Sequence, residues 1–281
     1  MIMRRALVKH SPLHRPSQLH FTRNIGLSVQ GGFGWVVAAM VTNDHLYSGF
    51  ASKVQWFTKR FGWRELFLLP LRKIISPFVL PFLSQGHFKY CDELLPYHFA
   101  NYNVTWSNER CVEVSLGCWY LEQIQGPVLE VGNVLAHYGM NDHTVLDKFE
   151  TGEGVINEDI TMWQTDHRFA LILSLSTFEH IGFDDDADGQ SAEKILTAIV
   201  ACRTLLKPDG RLVITVPLGY NPDLDQLIEK DALGQDRASF MLRSSAREWS
   251  EVARHQAVGT PFGRPWPYAN ALMVAEFNAV D

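Results

Sequence analysis

Acidic, glycine and hydroxyl-bearing residues recur just after short apolar runs in the second half of this sequence. Glu130, Gly132 and Asn133 end or follow the run PVLEV at Pro127–Val131. Asp147 follows Thr144–Leu146, Asp159 follows Gly154–Ile156, and Ser174, Ser176, Thr177, Glu179 and His180 end or follow FALILSL at Phe169–Leu175. A glycine after a strand lets backbone approach a ligand closely. An acid ending the next strand can accept hydrogen bonds from both ribose hydroxyls of a nucleoside cofactor. An imidazole ordinarily titrates near neutral pH, so His180 could serve as a general base on an acceptor hydroxyl, or the Glu179–His180 pair could simply shape its loop. The four cysteines form no CxxC pair, and no His/Asp/Cys cluster suggests a metal, so metal-independent chemistry is expected.

These residues need elements that bring them to one edge. The spacing predicts a helix over Val112–Ile124, then strands at 127–131, 144–146, 154–156 and 169–175. A helix is expected over Ala192–Leu206, a turn at Lys207–Gly210, a strand at Arg211–Val216, a helix at Ala246–Gln256 and a last strand at Ala271–Phe277. Strands alternating with helices or crossover loops imply a mainly parallel sheet with helices on both faces. Ligands of such sheets lie outside the carboxyl ends of the strands, where the strand order reverses.

The segments VLEVGNVLAHYG (128–139), HTVLDKFE (143–150), NEDI (157–160), FALILSLSTFEHIG (169–182) and LLKPDGRLVITVPLG (205–219) together resemble a class I S-adenosylmethionine-dependent methyltransferase. The resemblance implies an α/β, Rossmann-like methyltransferase fold with a mainly parallel seven-stranded sheet, and S-adenosyl-L-methionine as cofactor. Carried over, Glu130, Gly132 and Asn133 line the methionine and ribose side. Asp147 holds the ribose hydroxyls with Lys148 beside it, Asp159 and Ile160 meet the adenine, and Ser176 and Thr177 lie beside the cofactor. His180 and Tyr220 are the catalytic, acceptor-side candidates. The usual first loop has two or three glycines, whereas here Gly132 precedes Asn133, Val134 and Leu135. Only 15 positions separate Gly132 from Asp147, so any helix between them must be short. The implied reaction is methyl transfer, O-methylation above all, to a small-molecule or glycan acceptor. A catalytically inactive binding or scaffold protein of the same fold is the alternative. A nicotinamide-dependent oxidoreductase shares the βαβ pattern, but the sequence lacks its full GxGxxG.

Composition sets the frame. The chain has 281 residues, 46% of them hydrophobic, enough for a sizeable core without disulfides. A reducing, cytoplasmic setting is the simplest reading of its cysteines. Up to Lys89 there are 12 Lys/Arg against 2 Asp/Glu; from Tyr90 onward there are 13 against 29, so balances of +10 and −16 underlie the net −6. The acidic part disfavours a nucleic-acid partner. The charge change suggests a basic, aromatic N-terminal extension over residues 1–90 and a methyltransferase-like domain over 91–281. No signal peptide is evident, and the apolar stretch Trp63–Leu83 is broken by Pro70, Pro77 and Pro81 and by Arg72 and Lys73, which argues against a spanning helix. That stretch is expected to cover the main domain with its basic face against the acidic body. The alternative is a peripheral membrane contact in the interface.

Overall fold

A computed structural model describes residues 54–55, 57–58, 62–83, 86–184 and 191–280. All of them lie in the second of the two units into which the chain divides, Val36–Asp281. Of the extension expected over residues 1–90, residues 1–53 fall outside the described residues.

The first described long element is a helix, α1 (Glu65–Val79), which continues through Pro70 and Pro77 and ends in a 3-10 turn at Leu80–Phe82. A hairpin follows, β1 (His87–Tyr90) with β2 (Glu93–Pro96), and its turn holds Cys91 and Asp92 at positive φ. The boundary expected between residues 90 and 91 lies at the end of β1, within this hairpin. Helix α2 (Arg110–Gln123) is buried on nearly every side from Cys111 to Gly117.

The main sheet then begins with β3 (Val128–Val131), β4 (Thr144–Leu146), β5 (Val155–Ile156) and β6 (Phe169–Leu175). It continues through α3 (Ser191–Thr204), β7 (Leu206–Pro217), α4 (Pro222–Glu229), β8 (Arg237–Arg243), β9 (Trp249–Val252), the single-turn helix α5 (Arg254–Ala257) and β10 (Ala271–Asn278). The strand order is β5-β4-β3-β6-β7-β10-β8-β9. Pairs from β5 to β7 are parallel, and β7–β10, β10–β8 and β8–β9 are antiparallel. This is the Rossmann-like methyltransferase fold implied by the resemblance, with β9 added as an eighth strand at the edge. The order reverses between β3 and β6, which opens a crevice at their carboxyl ends.

The period of two splits the strand residues between two cores. Leu171, Leu173 and Leu175 of β6, with Leu272 and Val274 of β10, face α2 and the hairpin. Ile172 of β6, Leu212, Ile214 and Val216 of β7, and Met273 and Phe277 of β10 face α3 and α4. Burial on both faces explains why these strands read as unbroken apolar runs.

Several local expectations are corrected. Lys207–Gly210 is not a free turn: it lies within β7, as a bulge where Phe169 pairs Leu206 and Leu171 next pairs Arg211. The helix expected over Ala246–Gln256 is replaced by β9 and the short α5. Trp249 and Val252, good strand residues, pair with Arg243 and Phe240 at the sheet edge, and the Trp249 N–H donates to Tyr97 Oη at 2.7 Å. The hairpin, α4 and β8 have no counterpart in the sequence reading. α4 nevertheless carries a clear start signal. Asn221 caps it by accepting from the Asp223 and Leu224 amides, with Pro222 at the first helical position.

Helix α1 departs furthest from expectation. Its polar residues face the protein: Glu65 and Ser76 are buried, Arg72 bonds Glu65 through both oxygens at 2.7 and 3.1 Å, and Trp106 Nε1 donates to Ser76 Oγ at 3.0 Å. Its large apolar residues face outward, so the apolar cover expected from the sequence does not form over 63–82.

Candidate active site

The crevice at the reversal of strand order is a cavity of about 420 Å³. Val131 at the end of β3 and Gly132 and Asn133 after it line the cavity, and Gly132 has φ +90, a conformation that favours glycine. The chain then turns through a single 3-10 turn, Leu135–Tyr138, which is the short connection the spacing requires. Glu130 fixes this turn. Its Oε1 accepts from the Val134 and Leu135 amides at 2.9 and 2.8 Å, and its Oε2 lies 2.8 Å from His143 Nε2. Wholly buried, Glu130 shapes the loop from behind and does not line the cavity, which corrects its expected place beside a ligand.

Asp147, Lys148 and Phe149 form one wall. Asp147 Oδ1 accepts from the Phe149 and Glu150 amides at 2.8 and 2.7 Å, and Oδ2 accepts from the Asn133 amide at 3.0 Å. A carboxylate has about four acceptor positions; three are taken, and the one left lies on Oδ2. Asp159 Oδ1 accepts from the amide and hydroxyl of Thr161, and Oδ2 lies 3.1 Å from Lys148 Nζ. Burial pushes the Asp159 carboxyl up, but the Thr161 bonds and Lys148 outweigh it and hold it below the usual range. Ile160 is buried beside it.

Ser176 and Thr177 come from the end of β6. Ser176 has φ +43, and its hydroxyl donates to Glu113 Oε1, which also accepts from Thr215 Oγ1 at 2.7 Å. Glu113 Oε2 in turn meets Arg110 Nη1 at 3.1 Å, and Arg110 also donates to the Leu175 carbonyl at 2.9 Å. Arg110 lines the cavity. Burial works against its charge, yet Glu113, Tyr138, Glu109 and Glu179 together hold it more firmly protonated than usual. The sequence reading missed Arg110 because it lies before the first strand of the sheet, where no strand-end pattern marks it. Lys194 and Thr197, from α3, also line the cavity without having been anticipated.

His180 lines the cavity, and Asp184 Oδ2 lies 2.5 Å from its Nδ1. Tyr220 is buried behind them, its hydroxyl donating to Asp184 Oδ2 at 2.6 Å and lying 3.2 Å from His180 Nδ1. Tyr220 thus stands in a layer behind His180 and not on the cavity surface. Glu179 Oε1 is 3.6 Å from His180 Nε2, while Glu179 Oε2 is buried without a partner. Burial pushes the Glu179 carboxyl up to about 7, despite the opposing pull of His180 and Arg110. Asn221 joins this loop to the rest, donating to the Glu179 carbonyl and to Ser191 Oγ, both at 2.9 Å.

The structure therefore brings Gly132, Asn133, Asp147, Lys148, Asp159, Ile160, Ser176, Thr177 and His180 to one cavity and leaves Glu130 and Tyr220 just behind it.

No family model and no curated protein matches the sequence. Solved structures with similar folds include the N-methyltransferase NodS from Bradyrhizobium japonicum WM9 in complex with S-adenosyl-L-homocysteine. It shares 15% identity over 62% of this chain and 88% of that one, at a TM-score of 0.40. The glycopeptide N-methyltransferase MtfA complexed with S-adenosyl-L-methionine shares 11% over 59% and 94%, at 0.36. A TehB-like methyltransferase from Corynebacterium glutamicum shares 17% over 60% and 87%, at 0.35. At these identities and TM-scores nothing about chemistry transfers from them to this chain.

Proposed function

We propose that this protein is an S-adenosylmethionine-dependent methyltransferase acting on a small-molecule or glycan acceptor, with a hydroxyl oxygen as the methylated atom. The observation that carries this reading is the cavity at the reversal of strand order, where the residues implied by the resemblance converge. Its size suits a ligand of cofactor dimensions, since such pockets run from about 300 to 1,000 Å³.

The residues present fit the cofactor. Asn133 lines the cavity and its Oδ1 is buried without a hydrogen-bond partner, a polar atom of the kind a polar ligand satisfies. Arg110 offers a charge for a carboxylate, and Asp147 Oδ2 keeps one acceptor position for a ribose hydroxyl. Asp159 and Ile160 would stand on the adenine side. When bound, S-adenosylmethionine supplies an already activated methyl on its sulfonium, so positioning does most of the work. His180 faces the cavity with Asp184 at Nδ1, an arrangement that keeps a proton on Nδ1 and makes Nε2 the basic nitrogen. Nε2 would take the proton of an acceptor hydroxyl, and Asp184 and Tyr220 would hold the ring for that transfer.

One observation favours the second reading, a binding or scaffold protein without activity: three of the four acceptor positions on Asp147 are already taken by loop amides. Calorimetry with S-adenosylmethionine and S-adenosylhomocysteine separates the two. An enzyme binds both and transfers the methyl group; a scaffold of this kind binds neither.

A further inference from the structure

Helix α1 is amphipathic the wrong way round for a helix whose partner is its own protein. Glu65, Arg72 and Ser76 recur at helical spacing on the face turned to the domain and are buried or nearly so. Trp63, Phe67, Leu71, Ile74, Phe78 and Phe82, spaced three or four apart, are between 51% and 87% exposed. Leu68 and Ile75 widen the stripe at 37% each. Single exposed apolar residues are ordinary; an unbroken stripe this long marks a surface for something apolar.

We propose that this stripe docks the protein on an anionic lipid surface, with α1 lying in the interface plane. Three features select lipid over another occupant. The stripe is rich in aromatic side chains, with Trp63 at its start and Phe78 and Phe82 at its end, as in helices that lie in headgroup regions. The charge is complementary: residues up to Lys89 carry 12 Lys/Arg against 2 Asp/Glu, whereas the remainder is strongly acidic and would be held off the same surface. The helix is also too short and too charged to cross; among the described residues no helix is long and apolar enough to span a membrane. A shallow apolar contact alone gives marginal binding, so apolar stripe and basic charge would have to act together.

Helix α1 is tied to the domain through Ser76. Ser76 accepts from Trp106, and the same segment, Tyr102–Ser107, stacks Tyr102 on His137 at 4.7 Å beside the first loop of the cavity. The lipid-facing stripe is thus fixed to the segment that borders the active-site loop. Docking does not depend on the methyltransferase reading and extends it by placing the enzyme at a surface.

The test is flotation of the full-length protein with vesicles of phosphatidylcholine and phosphatidylglycerol, and with phosphatidylcholine alone. Expected are recovery with the anionic vesicles, much weaker recovery with the neutral ones, and loss of binding in about 1 M salt, where charges are screened beyond about 3 Å. Phe67→Ser with Phe78→Ser, both on the exposed stripe, should lower recovery about tenfold or more while the melting temperature and cofactor binding by calorimetry stay unchanged. The proposal is overturned if the full-length protein does not float, which is the result for a stripe covered by residues 1–53. It is equally overturned if the double variant floats as well as the wild type, or if the variant instead converts a dimer to a monomer in lipid-free buffer. Cofactor binding read on the same samples keeps a failure of docking distinct from a failure of the methyltransferase reading.

Discussion

Thr177 stands where a side chain on Gly132 would go: a Cβ at Gly132 would lie 2.1 Å from Thr177 Oγ1 and 3.0 Å from its Cβ and Cγ2. The loops after β3 and β6, the two strands at the reversal of order, close on each other at this point. Gly132 is therefore required twice, by its φ of +90 and by the absence of room. Gly132→Ala should destabilise the protein by about 3 kcal/mol, combining backbone strain with overpacking. Thr177→Ala should return about 1–2 kcal/mol of that loss, because it removes the oxygen in the way but not the strain. Melting of the single and double variants measures the coupling, and strictly additive effects would show that the contact does not limit the site.

Asp147 holds its own loop as well as facing the cavity. Asp147→Ala should weaken S-adenosylmethionine binding by about 1.5–3 kcal/mol, the loss of a hydrogen bond to a charged group. It should also lower the melting temperature, since the Asn133, Phe149 and Glu150 amides lose their acceptor. Unchanged affinity by calorimetry in a folded variant would remove Asp147 from the binding site.

Glu179 should make stability depend on pH. Its folded carboxyl titrates at about 7, above the unfolded value of about 4.3, so between those pH values the native state holds a proton that the unfolded chain has lost. Stability from this group is therefore full below the lower value and is lost as pH rises towards 7, by about 4 kcal/mol in all. Glu179→Gln lacks that dependence. Its melting temperature relative to wild type should climb from pH 4.5 to 7.5, and a constant difference across that range would contradict the assignment.

His180 and Tyr220 should separate kinetically. With His180 as the base, His180→Ala should lower kcat about 100-fold or more and leave cofactor affinity intact. Tyr220→Phe, which removes only the hydroxyl shared with Asp184, should cost far less in kcat and should shift the pH profile of kcat/KM. A His180→Ala protein that melts early and loses cofactor binding would instead make His180 a loop-holding residue.

The strands of the parallel half and the residues at their ends are legible in the amino-acid pattern alone. Val128–Val131, Thr144–Leu146 and Phe169–Leu175 sit where their apolar runs place them, because strands buried on both faces must be apolar throughout. Gly132, Asp147, Asp159 and Ser176 reach one cavity because parallel strands put all their carboxyl ends on one side. The antiparallel half was not legible: Trp249 and Val252 have helical spacing, and only pairing with Arg243 and Phe240 makes them an edge strand. Arg110 was hidden because it precedes β3 in the chain, and only the packing of α2 brings it to the end of β6 and the cavity. Glu130 and Tyr220 had the right neighbourhood, but hydrogen bonds to Val134, Leu135 and His143, and to Asp184, turned them behind the cavity wall. The outward stripe of α1 is the clearest case. Apolar residues in a sequence announce burial without naming the partner, and the direction they face was decided by Glu65, Arg72 and Ser76, whose polar bonds are made on the domain side.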